Sequence, residues 1–291
     1  LEAEPALPLE PGPITTAWRF LRARPTVAIA GGCLLLIVLA AMLAPLLAPF
    51  DPTEIVLSRR LRAPDGTHWF GTDALGRDIL SQVIYGARLS LTSGTCAVVL
   101  AVAIGAPIGL IAAYYGKWLD MALMRLSDMF LAFPPLLLPI AITVALGPGL
   151  FNAMIAIGIA WFPWYARIMR AAALSVGEEL YVKSAKCAGL SDFAVMRRHM
   201  LPNSLTPLIV QASMDFGYAI LAAASLSFIG LGAQPPAIEW GLMVSQARVF
   251  VLDYWWVAVC PGVAIFVTVF MINVFADALR DALDPNYRPH I

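Results

Sequence analysis

The chain has 291 residues, of which 60% are hydrophobic and 13% charged, and its mean hydropathy is +0.79. A soluble domain carries about 25% charged residues, so much of this surface faces something other than water. Zero formal net charge gives no support for a nucleic-acid partner, and Cys33, Cys96, Cys187 and Cys260 lie too far apart for a CxxC pair or a disulfide framework.

A bilayer core of about 30 Å takes about 20 apolar residues per helix. The first apolar run, 27–48, follows Arg19, Arg22 and Arg24 within a segment 1–26. It is too long for a signal peptide and residues 44–50 make a poor cleavage site, so a retained span is predicted. Residues 49–90 then form a loop on the far side of the membrane. Within it, His68 to Gln82 reads HWFGTDALGRDILSQ. Gly71 and Gly76 allow tight turns, and Asp73, Arg77 and Asp78 can lock the loop by local hydrogen bonds and ion pairs. The expectation is a rigid periplasmic cap; a docking surface for an external partner is the alternative.

Further runs at 91–114, 121–146, 150–170, 205–231 and 254–274 bring the count to six, five of them in a core 91–278. Gly105 and Gly109 frame a small-xxx-small pattern that lets helices approach closely. Pro134-Pro135, Pro163 and Pro261 are expected to mark kinks or breaks. Tyr254-Trp255-Trp256 suits an interfacial aromatic belt. With the N-terminus inside, thirteen lysines and arginines fall on the cytosolic side against six outside. This bias predicts an all-α membrane protein of six transmembrane helices with both termini cytosolic, ending in a tail 279–291.

Catalytic signatures are missing. Gly116-Lys117 is followed by Trp118 and position 111 is Ile, so the phosphate-loop pattern fails at both ends. There is no HExxH or GxSxG, and His68, His199 and His290 are scattered, so neither a catalytic set nor a metal site is expected. Asp215 is the one acid well inside an apolar run. Such a group is paired, hydrated or functional; Gln211, Ser213 and Asn273 are the candidate partners. Asp215 and Asn273 are the candidates for a substrate path.

The segment 177–203 is polar and basic between two apolar runs. A short helix from Glu179 would place Tyr181, Ala185 and Ala188 on one face. Gly189 would end it, and Ser191-Asp192 would cap a second helix through Met196 to Met200. Phe193 and Met196 are expected as apolar anchors, and Pro202 suits the first turn of the next span. The alternative is a basic helix lying on anionic lipid, but the glycine break followed by Phe193 suits a protein groove better.

Lys183, Ser184, Ala185, Gly189, Leu201 and Pro202 match the EAA loop of ATP-binding-cassette importer permeases, with Lys183 and Ser184 standing where the pattern has Glu-Ala. HWFGTDALGRDILSQVIYGARLSL, SLSFIGLGAQPPAIEWG and DALRDALDPN resemble signature segments of the dipeptide/oligopeptide/nickel permease family, C-type subunit. Ala222-Ala223-Ala224, LGPGLFNAMIAIGIA and VLDYWW look more like its D,D-dipeptide branch. The resemblance implies a type I importer permease fold with a cytosolic coupling helix, in the bacterial inner membrane. It also implies a homologous second permease, two cytosolic ATP-binding subunits and a periplasmic or lipid-anchored substrate-binding protein. No cofactor is expected on this chain; ATP and Mg belong to the partners. Coupling then falls to Lys183, Ser184, Ala185, Gly189, Phe193, Met196 and Pro202. The rival readings are an ion-coupled secondary transporter using Asp215 and an intramembrane enzyme, the latter lacking convergent polar groups.

Overall fold

The computed structural model describes residues 25–283, and the regular structure among them is helical, with no β-strand. The basic residues before 25 and the tail from 284, including Arg19, Arg22, Arg24 and Arg288, lie outside the described residues. Helix α1 spans Pro25–Met42 and is followed by the short α2, Ala44–Leu47. Pro45 sits in the first turn of α2, where its missing N–H leaves no bond unmade.

Helix α3, Ile79–Tyr115, has 37 residues and is about 55 Å long at 1.5 Å per residue. It begins well before the predicted residue 91, so the non-helical part of the predicted 49–90 loop ends at Asp78. The extra turns are polar in sequence but satisfied internally. Ser81 hydrogen-bonds Asp78, Gln82 hydrogen-bonds Asp73, and Ser90 hydrogen-bonds Glu239.

The predicted run 121–146 is two helices, α4 (Lys117–Leu131) and α5 (Leu137–Leu146), separated at Pro134-Pro135. With 10 residues, α5 is about 15 Å long and cannot cross a bilayer unaided. Helix α6 covers Leu150–Gly177. Arg170 of α6 grips Asp120 of α4 through two bonds of 2.5 and 2.6 Å, and Arg167 pairs with Asp128. These arginines, counted on the cytosolic side of the charge bias, tie α4 to α6.

Next come α7 (Leu180–Cys187), α8 (Asp192–Val195), a π-helical turn (Met196–Met200) and α9 (Leu201–Phe228). Helix α10 (Trp240–Ala247) and helix α11 (Trp256–Leu283) complete the described residues. Helices α6 and α11 continue through Pro163 and Pro261, so no break occurs there. By length and apolarity, four helical stretches among the described residues can cross a membrane: Pro25–Met42, Ile79–Tyr115, Asp192–Phe228 and Trp256–Ala282. Of the six predicted runs, the third is split and the fourth is diluted by Asn152, Pro163, Arg167 and Arg170.

Three apolar clusters are stacked along α3. Ile79 and Ala87 pack with Trp240, Met243 and Trp256 at one end; Ala97 and Ala101 pack with Ile157, Tyr165 and Ala223 in the middle; Ala106 and Leu110 pack with Met169, Val182 and Met200 at the other. The crossing of α3 with α6 depends on missing side chains. A Cβ on Gly105 would lie 2.4 Å from the Phe162 carbonyl oxygen, and one on Gly109 would lie 2.2 Å from that of Ala166. The small-xxx-small pattern is therefore a helix-packing device.

Candidate functional site

The segment 177–203 folds as a helical elbow at the C-terminal end of α3. Glu179 is extended ahead of α7, and Ala188 closes that helix. Gly189 then takes φ +78°, a conformation that L side chains rarely adopt, while a Cβ there would meet nothing within 4 Å. Backbone geometry rather than space demands the glycine. The Ser191 hydroxyl oxygen accepts the Ala194 N–H at 3.4 Å and heads α8.

The second arm differs from the expected separate helix through Met196 to Met200. It passes through the π-helical turn directly into α9, with Pro202 in the first turn of that helix. This continuity turns Met196 and Met200 onto the inward face. Val182, Ala185, Val195, Met196 and Met200 are buried together against Ala106 and Leu110 of α3 and Met169 and Ala173 of α6. Met196, expected as an exposed anchor, is 9% exposed. Ala185 belongs to the same buried base.

The outward face presents Lys183, Ser184, Gly189, Phe193 and the half-exposed Tyr181. Phe193 is 67% exposed and Leu180 is 80% exposed. Leu180 escaped the sequence reading; its signal was a large apolar side chain opening a short polar helix. Lys183 lies 2.7 Å from Glu178, and its ammonium holds that exposed carboxyl below the usual range. Both arms are also held from α3. The Tyr114 hydroxyl donates to Asp192 Oδ1 at 2.6 Å, and the Lys186 ammonium lies 4.5 Å from the Tyr114 ring centroid.

At the opposite end of α3, Asp73, Arg77 and Asp78 form a locked loop. Asp73 accepts the backbone N–H groups of Leu75 and Arg77 at 2.8 and 3.0 Å on one oxygen. Its other oxygen accepts Arg77 Nε and Gln82 Nε2 at 2.7 and 3.0 Å. Asp78 caps α3 by accepting the Ser81 N–H at 2.8 Å and lies 2.9 Å from Nδ1 of the buried His68. Sequence reasoning missed His68 and Gln82 as members of this network. At Gly76 (φ +77°) an added Cβ would lie 2.0 Å from the Val56 carbonyl oxygen, so the turn is tight as well as left-handed.

Asp215, half-buried in α9, accepts hydrogen bonds from Tyr165 of α6 at 2.8 Å and from Gln211 at 3.0 Å. Gln211 was an expected partner and Tyr165 was not. Ser213 donates instead to the Val210 carbonyl. Asn273 stands apart, on the wall of an apolar cleft of about 560 Å³ between α9, α10 and α11, with Phe228 and Phe266. The two pathway candidates are therefore not gathered into one polar centre.

Comparison with known proteins places the chain in a family. Residues 105–289 match the family described as the binding-protein-dependent transport system inner membrane component, and residues 12–64 match the N-terminal TM domain of oligopeptide transport permease C. A dipeptide transport system permease protein of Alkalihalophilus pseudofirmus is 48% identical over 86% of this chain and 83% of its own. A probable D,D-dipeptide transport system permease protein of Escherichia coli K12 is 45% identical over 91% and 89%. A glutathione transport system permease protein of Pectobacterium atrosepticum is 41% identical over 94% and 93%. In fold, the chain is similar to one from an inward-facing methionine ABC transporter, with a TM-score of 0.57 and 18% identity over 70% of this chain and 96% of that one. The chain belongs to the family of binding-protein-dependent inner-membrane transport components, and is a multi-pass permease subunit of the bacterial inner membrane.

Proposed function

We propose that this permease subunit forms half of the translocation path of an ATP-driven importer of di- and oligopeptides or related small solutes, and that residues 177–203 join it to a cytosolic ATPase. The observation that carries the coupling role is the division of the elbow into a packed base and an exposed face bearing Leu180, Tyr181 and Phe193. A rigid helical edge with large exposed apolar side chains suits insertion into a protein groove. Lys183, Ser184 and Gly189 border that face. Ala185, Met196 and Pro202 act beneath it, setting its shape.

Six crossings, by α1, α3, α4 with α5, α6, α9 and α11, put both termini and the elbow in the cytosol. The Asp73–Arg77–Asp78 loop then faces outward as a rigid cap, towards a periplasmic or lipid-anchored substrate-binding protein. A homologous second permease completes the path, and two ATP-binding subunits hold ATP and Mg. Closure of those subunits on ATP draws the two elbows together and turns the bundle outward. This is a population shift driven by unequal affinity for two states. The relatives' names, dipeptide, D,D-dipeptide and glutathione, favour a peptide-like cargo. Asp215 and Asn273 are the polar groups offered to a path, with Asp215 held by Tyr165 and Gln211. An ion-coupled carrier built on Asp215 is disfavoured by the family relationship.

Phe193→Asp in the assembled complex tests the coupling role. Membrane insertion stays intact, while the ATPase subunits no longer co-purify and uptake is lost. Full uptake with a complete complex would refute it.

A further inference from the structure

Tyr114 stands on the last turn of α3, the helix whose first turn is capped by Asp78 in the locked loop. One rod of 37 residues thus joins the loop network to the elbow, and it is a single helix through Pro107. At its elbow end, Tyr114 touches both arms across the Gly189 turn. Its hydroxyl donates to Asp192 in the first turn of α8, and its ring receives the Lys186 ammonium of α7. The base of the elbow packs on α3 through apolar contacts with Ala106 and Leu110, which are non-directional and tolerate sliding. The hydroxyl–carboxylate bond is directional and short, and its geometry changes as soon as the elbow shifts along or rotates against α3.

We infer that Tyr114, through its bond to Asp192, is a positioning residue that converts displacement of the elbow into movement of α3 and so of the outer loop. This rests on the coupling role proposed above. With the bond in place, the elbow and the rod move together. Without it, the elbow can follow the ATPase while α3 lags, and ATP is spent with little cargo moved. The Lys186–ring contact keeps the tyrosine against the elbow, so loss of the hydroxyl alone loosens the joint without detaching it.

The test uses the complete transporter, with the second permease, both ATPase subunits and the binding protein, reconstituted into liposomes. Cargo imported per ATP hydrolysed is measured alongside subunit stoichiometry and ATP turnover. Tyr114→Phe is expected to leave stoichiometry and ATP turnover unchanged and to lower cargo per ATP by about tenfold, in line with the low end of the loss of one hydrogen bond to a charged group. Asp192→Asn, which keeps an acceptor oxygen, should lower cargo per ATP by no more than about threefold, as expected where the charge assistance is lost but a neutral hydrogen bond of about half the strength remains. Adding Asp192→Ala to Tyr114→Phe should bring no further loss of cargo per ATP. Unchanged cargo per ATP in Tyr114→Phe, or a parallel fall in import and ATP turnover, would overturn the inference. The coupling role itself fails in a different way, if the parent chain does not assemble with the ATPase subunits.

Discussion

Tyr165 of α6 and Asp215 of α9 are joined by a 2.8 Å hydrogen bond across the middle of the helical bundle, and Gln211 supplies the carboxylate's second donor at 3.0 Å. Asp215 is thus held by protein groups on both oxygens. These bonds tie α6 to α9 at this point, since an unsatisfied buried carboxylate is costly and a satisfied one fixes geometry.

The neutral isostere separates this role from ion coupling. Asp215→Asn keeps an acceptor for Tyr165 and should leave ATP-driven uptake within about twofold. Tyr165→Phe leaves that carboxylate oxygen without its donor and should lower stability by about 1–3 kcal/mol. Uptake assays and thermal unfolding of the purified complex check both. Abolition of uptake by Asp215→Asn would revive the ion-coupled reading.

Two glycines make opposite predictions about added methyl groups. Gly109→Ala drives a Cβ into the Ala166 carbonyl at the α3–α6 crossing, where a 2.2 Å approach cannot be relieved by a rotamer change. A loss of about 1–3 kcal/mol is expected, visible as a lower Tm in detergent. Gly189→Ala meets empty space but must adopt φ +78°, so it costs about 1 kcal/mol or slightly more and deforms the elbow locally. Gly109→Ala is expected to reduce Tm more, and Gly189→Ala to reduce ATPase binding more.

Asp78 joins two jobs, capping α3 and receiving Ser81 and His68. Asp78→Ala removes the cap, worth about 0.5–2 kcal/mol on its own. It also strips a buried histidine of its partner. Limited proteolysis is expected to cut within residues 49–78 of the variant while leaving the parent loop whole. Equal resistance would show that the network does not hold the loop.

Much of the elbow was legible because its signals are local. A glycine followed by Ser191-Asp192 marks a helix end and a new start, and both occur. The inward turn of Met196 was not legible, because it depends on the π-helical turn running unbroken into α9. The early start of α3 at Ile79 was hidden for a similar reason. Ser81, Gln82 and Ser90 fell in the predicted loop, and their partners Asp78, Asp73 and Glu239 are seen only in the fold. Glu239 lies far along the chain, so its bond to Ser90 has no local trace. Pro163 was expected to mark a kink or break, and α6 runs on through it, whereas the helix does stop at Pro134-Pro135.

Photo-crosslinking from position 193 tests the coupling claim most directly. Phe193 is replaced by a photoreactive phenylalanine analogue in the full transporter in native membranes, with the same replacement at the buried Met196 as the control. The account predicts one dominant adduct from position 193, to a nucleotide-hydrolysing subunit, with a yield that changes when ATP is added, and no such adduct from position 196. Adducts from position 193 to lipid alone, or none to a nucleotide-hydrolysing subunit, would contradict it.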